Sequence, residues 1–126
     1  LLGVCESWMT PALFLSVAFV AGAVISFFTG SSWGTFAICI PIAVPMAYSF
    51  TGGQLGTLVY AAVGAVVSGG LFGDHCSPVS DTTVLSSLGA ACDHIDHVRT
   101  QLPYALLAAA VSIIPWNVVA LVGGAV

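Results

Sequence analysis

Gly69-Gly70-Leu71-Phe72-Gly73-Asp74-His75-Cys76-Ser77-Pro78-Val79-Ser80-Asp81 sets two carboxylates, two serines and a proline inside an otherwise apolar run. Residues 55–71 before its polar part and residues 82–92 after it carry no charge. Pro78 has no N–H, and its ring collides with the carbonyl four residues earlier, that of Asp74, so a continuous helix has to break here. A bilayer core about 30 Å thick needs about 20 helical residues, and each flank alone falls short. Residues 55–92 therefore read as one crossing made of two half-helices, with an unwound polar middle at residues 72–81. Gly, Asp, Ser and Pro also suit an aqueous loop, but a loop would leave two stunted spans.

Working outward, the composition agrees with a lipid setting. The 126 residues hold one Lys or Arg, five Asp or Glu and 59% hydrophobic residues, against about a quarter charged in soluble domains. Such a chain cannot dress a water-facing surface. In hydrocarbon it needs none, provided the backbone satisfies its own hydrogen bonds within helices. We therefore expect an all-α membrane protein with the lipid bilayer as its first partner. The net charge of -4 comes with no basic patch, so nucleic acid is not an expected partner. Cys5, Cys39, Cys76 and Cys92 lie in or beside apolar segments without paired spacing, where free cysteine behaves as a small hydrophobe. The chain opens on Leu1 without a basic n-region or an Ala-x-Ala site, and it is expected to be a piece of a longer polypeptide.

Upstream, residues 11–50 read as a re-entrant helical hairpin. Two apolar arms, the second carrying Pro41 and Pro45, flank the polar, glycine-bounded tip at residues 29–35. At 1.5 Å per residue the arms reach about 24 to 27 Å, short of a comfortable crossing. Two short spans joined by a surface loop are the plainer alternative. Thr51-Gly52-Gly53-Gln54 is a turn by its glycines. Residues 93–101 hold most of the remaining charge and read as an interfacial loop, in which Arg99 and Asp96 can pair at little energetic profit. Residues 102–126 read as a final transmembrane helix kinked at Pro115. Arg99 alone gives a weak bias for placing the 93–99 loop in the cytoplasm. Glu6 reads as a loop residue, and Trp8 and Trp116 suit interfaces or packing.

A carboxylate at mid-membrane depth costs at least about 2.5 to 3.5 kcal/mol and marks an ion or proton path. Hard cations choose carboxylate, carbonyl and hydroxyl oxygen. The break offers Asp74, Asp81, Ser77, Ser80, Thr82 and Thr83, and the hairpin tip adds Thr29, Ser31, Ser32 and Thr35, so these ten form the candidate cation site. Burial favours the protonated form of a carboxyl group and a bound cation the ionised form, so a single carboxylate can serve a proton and a cation in turn. Asp81 and Asp74 are the candidate proton carriers, with His75 a third because histidine titrates near neutrality.

Two further patterns compete. His94 and His97, three apart and flanked by Asp93 and Asp96, could bind zinc, although a solvated turn is the better account. No metal other than a transported cation is expected, and no cofactor. Gly30-Ser31-Ser32-Trp33-Gly34 fits the G-x-S-x-G pattern of serine hydrolases and raises an intramembrane serine protease as a remote rival. That pattern means something only between a strand and a helix, whereas both flanks here look helical.

Gly73-Asp74-His75-Cys76-Ser77-Pro78-Val79-Ser80-Asp81-Thr82-Thr83, together with residues 93–104 and the Thr29-Gly30-Ser31-Ser32-Trp33-Gly34-Thr35 stretch followed by Pro41, resembles the NhaC-type sodium/proton antiporters. The resemblance covers most of the chain. It implies an ion-transporter-superfamily fold built from inverted repeats, with this piece as the C-terminal repeat and elevator-like movement of a transport domain. It also implies the missing N-terminal half of the same chain as a partner and the bacterial inner membrane as location, and leaves a homodimer open. Sodium and protons are the implied cargo, with a sodium- and proton-coupled exchanger of malate or lactate as the alternative. On the same ground Asp74, Ser77, Asp81 and residues 29–35 are expected near the cation.

Overall fold

A computed structural model describes residues 9–123, which form five helices and, among the described residues, no strand. Cys5, Glu6 and Trp8 fall outside them. Helix α1, Pro11–Thr29, starts where Thr10 Oγ1 accepts from the Leu13 N–H at 3.3 Å. Pro11 follows at the first position, where a missing N–H costs nothing. The helix ends at Gly30, whose φ of 67° lets its N–H return to Ser26 O. Such a left-handed C-cap is glycine's role.

Ser31 then caps α2, Ser32–Phe50, through the Gly34 N–H. The connection between the arms is thus Gly30 and Ser31 alone, and residues 32–35, expected in the tip, form the first turn of α2. Pro41 and Pro45 lie inside α2 without ending it. Gly52 and Gly53 take left-handed backbone in the turn at residues 51–54, as their identity suggests.

Helix α3, Thr57–Cys76, continues through most of the stretch expected to unwind, and α4, Asp81–Gly89, begins after only four residues. The break is residues 77–80 rather than 72–81. Gly69 and Gly73, on the approach to it, serve the packing of α3 on α1. A Cβ at Gly69 would stand 2.1 Å from Phe19 O, and one at Gly73 would stand 2.4 Å from Ala23 O. The glycines keep α3 helical and bring the α1 backbone against it, the small-residue contact by which helices associate in lipid. Pro78 acts as expected, but its effect is confined to the residues around it.

Helix α5, His94–Gly123, also exceeds its expected bounds. Asp93 accepts from the Ile95 and Asp96 N–H groups, so residues expected as an interfacial loop are a helix cap and the first turns of a 30-residue helix. The Arg99–Asp96 pair is present at 4.0 Å with both side chains exposed.

By length and composition α1, α2, α3 and α5 can each cross a membrane. At 19 residues apiece, α1 and α2 are about 28 Å long at 1.5 Å per residue, slightly longer than expected. Helix α3 is the centre of the bundle, packing on α1, α2 and α5. Its Leu58, Ala62, Ala65 and Val66 meet Phe14, Leu15 and Phe19 of α1 and Ala43 and Ala47 of α2. Trp116 of α5 lies against Gly64. Leu107, Leu121 and Val122 of α5 are exposed, which suits a surface facing hydrocarbon.

Candidate functional site

The close approach of α1 and α3 brings the ends of four helices to one level. A Cβ on Gly30, between α1 and α2, would stand 2.7 Å from Val79 O in the break between α3 and α4. Only glycine permits that distance, so the connection rests directly on the break. Two hydroxyls pin the contact. Ser77 Oγ donates to Phe27 O at 2.5 Å, and two turns earlier along α3 Gly70 O accepts from Ser26 Oγ at 2.6 Å.

Asp74 occupies the centre of this junction. It lies in the last turn of α3 and is only 9% exposed. Ser32 Oγ, in the first turn of α2, donates to its Oδ2 at 3.1 Å, and Ser80 Oγ, the cap of α4, donates to its Oδ1 at 2.7 Å. Two helix N-termini therefore meet the carboxylate, and the positive end of each helix dipole complements its charge. Thr82 Oγ1 is 2.7 Å from Ser80 Oγ and extends the oxygen cluster by one group. A carboxylate with clustered hydroxyls is an all-oxygen donor set of the kind hard cations select.

The other sequence candidates divide. Thr35 is buried, but its Oγ1 donates to Ser31 O of its own helix at 2.9 Å. Thr83, also buried, reaches across the break to donate to His75 O at 3.2 Å, and Ser77 serves the α1 contact. Ser31 caps α2, while Thr29 is exposed and donates back to Ile25 O. Asp81 is exposed, and its Oδ1 accepts from the adjacent Thr82 N–H at 2.8 Å. His75 points out of the bundle, with Nδ1 3.0 Å from Leu71 O. Of the ten proposed cation ligands, Asp74, Ser32, Ser80 and Thr82 come together, and the rest hold the backbone around them or lie outside.

Two residues were missed. Ser26 looked like an incidental polar residue in an apolar helix, and nothing in its spacing points to Gly70. His94 was assigned to a solvated turn, yet it is half-buried with Nε2 2.7 Å from Pro78 O. No cluster of three or more metal-binding side chains occurs among the described residues. An apolar hollow lined by Phe19, Phe27, Phe72 and Leu106 does not have Asp74 in its wall. The G-x-S-x-G resemblance fails on its context, because helices rather than a strand and a helix flank the motif, and Ser32, in the first turn of α2, has its hydroxyl on a carboxylate.

The family model described as the Na+/H+ antiporter family matches residues 3–121. The chain belongs to that family. Family membership and four membrane-length helices make it part of an integral membrane protein of a transporter family rather than an enzyme family. An uncharacterised protein of Haemophilus influenzae is 53% identical over 110 residues, covering 86% of this chain and 20% of that protein. The malate-2H(+)/Na(+)-lactate antiporter of Bacillus subtilis is 34% identical over 90% of this chain and 23% of its own length. The Na(+)/H(+) antiporter NhaC of Alkalihalophilus pseudofirmus is 35% identical over 76% of the chain and 20% of its own length. The chain thus spans about a fifth of the length of these relatives. No solved structure matches it significantly.

Proposed function

We propose that this chain supplies the cation site of a secondary transporter that exchanges sodium for protons. The observation that carries the proposal is the buried Asp74 carboxylate, held from two sides by Ser32 and Ser80 at a helix break. With a proton on Asp74, the carboxyl group is neutral and the serines remain its hydrogen-bond partners. With sodium bound, the Ser32 and Ser80 hydroxyls turn their lone pairs to the ion, and Thr82 Oγ1 is near enough to follow. One carboxylate cannot hold both, and that competition couples the two fluxes. Asp81, exposed at the edge of the same break, is the second group able to carry a proton.

In this reading α1 and α2 form a re-entrant hairpin whose Gly30-Ser31 tip stops inside the complete protein, seated on the broken α3–α4 crossing. Non-helical backbone is tolerated at that depth when protein buries it or water lines it. The remaining four fifths of the polypeptide contain the inverted partner unit, and the protein resides in the bacterial inner membrane. The test uses the full-length protein in proteoliposomes carrying an internal pH indicator. Asp74→Asn is expected to abolish sodium-driven proton movement, and exchange at the wild-type rate in that variant refutes the site. Uptake of labelled malate or lactate driven by a sodium gradient would make sodium the coupling ion rather than the cargo.

A further inference from the structure

His94 stands sixteen residues beyond Pro78 in sequence, in the first turn of α5, and its Nε2 is 2.7 Å from Pro78 O. A carbonyl oxygen only accepts, so this contact needs the ring hydrogen on Nε2. Among the described residues no backbone N–H donates to Pro78 O, and leaving a carbonyl unsatisfied away from water is costly. The other ring nitrogen, Nδ1, is 3.3 Å from Ser87 Oγ on α4. Because Ser87 Oγ donates to Val84 O at 2.8 Å, the short bond from the half-buried ring is the one that ties α5 to the break. Two residues after the gripped carbonyl comes Ser80, whose hydroxyl lies on Asp74.

We propose that His94 is a positioning residue for the cation site. By holding the Pro78 carbonyl, it fixes the backbone from which Ser80 reaches Asp74, and so sets cation affinity without touching the cation. The inference rests on the reading of Asp74, Ser32 and Ser80 as that site. Other bonds hold the break: Ser77 bonds to Phe27 O and to the Val79 N–H, Thr83 Oγ1 donates across it to His75 O, Ser80 O accepts from the Val84 N–H at 3.1 Å, and a long 3.4 Å bond joins the Ser80 N–H to Ser77 O. None of these reaches Pro78 O. Without the histidine the carbonyl seeks another donor, and the turn carrying Ser80 moves with it.

The experiment measures sodium-dependent exchange in the full-length protein for His94→Ala, His94→Asn and His94→Gln, with Asp74→Asn beside them and membrane abundance measured for each. Glutamine can place an amide N–H near the position of Nε2, whereas asparagine is too short to reach Pro78 O. Losing one hydrogen bond of ordinary strength raises the sodium concentration for half-maximal exchange roughly five- to tenfold in the Ala and Asn variants. The maximal rate stays within about twofold, and Gln restores most of the affinity. An unchanged half-maximal sodium concentration in the Ala and Asn variants overturns the proposal. So does a fall in rate or abundance alone, shared by Ala, Asn and Gln, because that is what a merely structural histidine produces. Normal exchange in Asp74→Asn instead refutes the cation site itself, whatever the His94 variants do.

Discussion

Gly73→Ala tests the link between helix packing and the site. The added methyl would stand 2.4 Å from Ala23 O, 2.5 Å from Phe27 N and 2.7 Å from Ser26 Cβ. Two of these neighbours are α1 backbone, which cannot swing aside as a flexible side chain can, so relief requires α1 and α3 to separate. Overpacking of a tight interior costs about 1–3 kcal/mol, and three simultaneous contacts put this case at the upper end. The cost opposes a gain of about 1 kcal/mol in helix propensity on replacing glycine by alanine. A net loss of about 1–2 kcal/mol remains. Because Asp74 is the next residue, separation also draws its carboxylate from Ser32, which α2 carries. The assay is thermal unfolding of the purified full-length protein, followed by intrinsic fluorescence, with sodium-dependent exchange measured in parallel. Gly34→Ala is the control, since its new methyl meets nothing closer than 3.6 Å. Gly73→Ala is expected to melt several degrees below wild type with weakened sodium dependence, while Gly34→Ala melts at or above wild type. Equal melting temperatures for the two alanine variants would refute the packing argument.

The remaining expectations concern the junction. Asp81→Asn keeps a side-chain oxygen able to accept from the Thr82 N–H. It should keep sodium-driven exchange at a reduced rate; loss of exchange in Asp81→Asn with intact exchange in Asp74→Asn would reverse their roles. Ser80→Ala removes both the hydroxyl on Asp74 and the α4 cap, so a stability loss of about 1–2 kcal/mol and a higher sodium requirement should appear together in denaturation and exchange assays. In Gly30→Ala a left-handed backbone, φ 67°, is combined with a Cβ 2.7 Å from Val79 O. The backbone strain alone costs about 1–2 kcal/mol, and loss of both stability and exchange is expected; a wild-type melting temperature would mean that the tip and the break do not touch.

What the sequence determined by itself follows from short-range physics and solvent chemistry. One basic residue among 126 excludes a soluble surface, and Pro78, set among Gly, Asp and Ser, marks a helix break. Gly52 and Gly53 announce a turn, and the long Asp74-containing motif is enough to indicate the family. Helix bounds were less legible because the same residue types have two uses. Gly69, Gly70 and Gly73 loosen an isolated helix, yet against a second backbone they allow close packing that stabilises it; sequence could not tell these apart without knowing what lies opposite. Pro41, Pro45, Pro103 and Pro115 likewise look like breakers, yet α2 and α5 continue through them.

Only the tertiary structure brought four of the ten candidates, Asp74, Ser32, Ser80 and Thr82, together. Spacing puts Asp74 and Asp81 on equal terms, both polar and both beside Pro78. The α1–α3 contact buries Asp74 under Ser32 and Ser80 and leaves Asp81 exposed. Ser32 is 42 residues from Asp74 in sequence, Ser26 is 44 from Gly70 and His94 is 16 from Pro78. No periodicity encodes such pairings, because they depend on where whole helices lie. A helix position is decided by summed packing along its length, and the side chains that meet at its ends are a consequence of that sum.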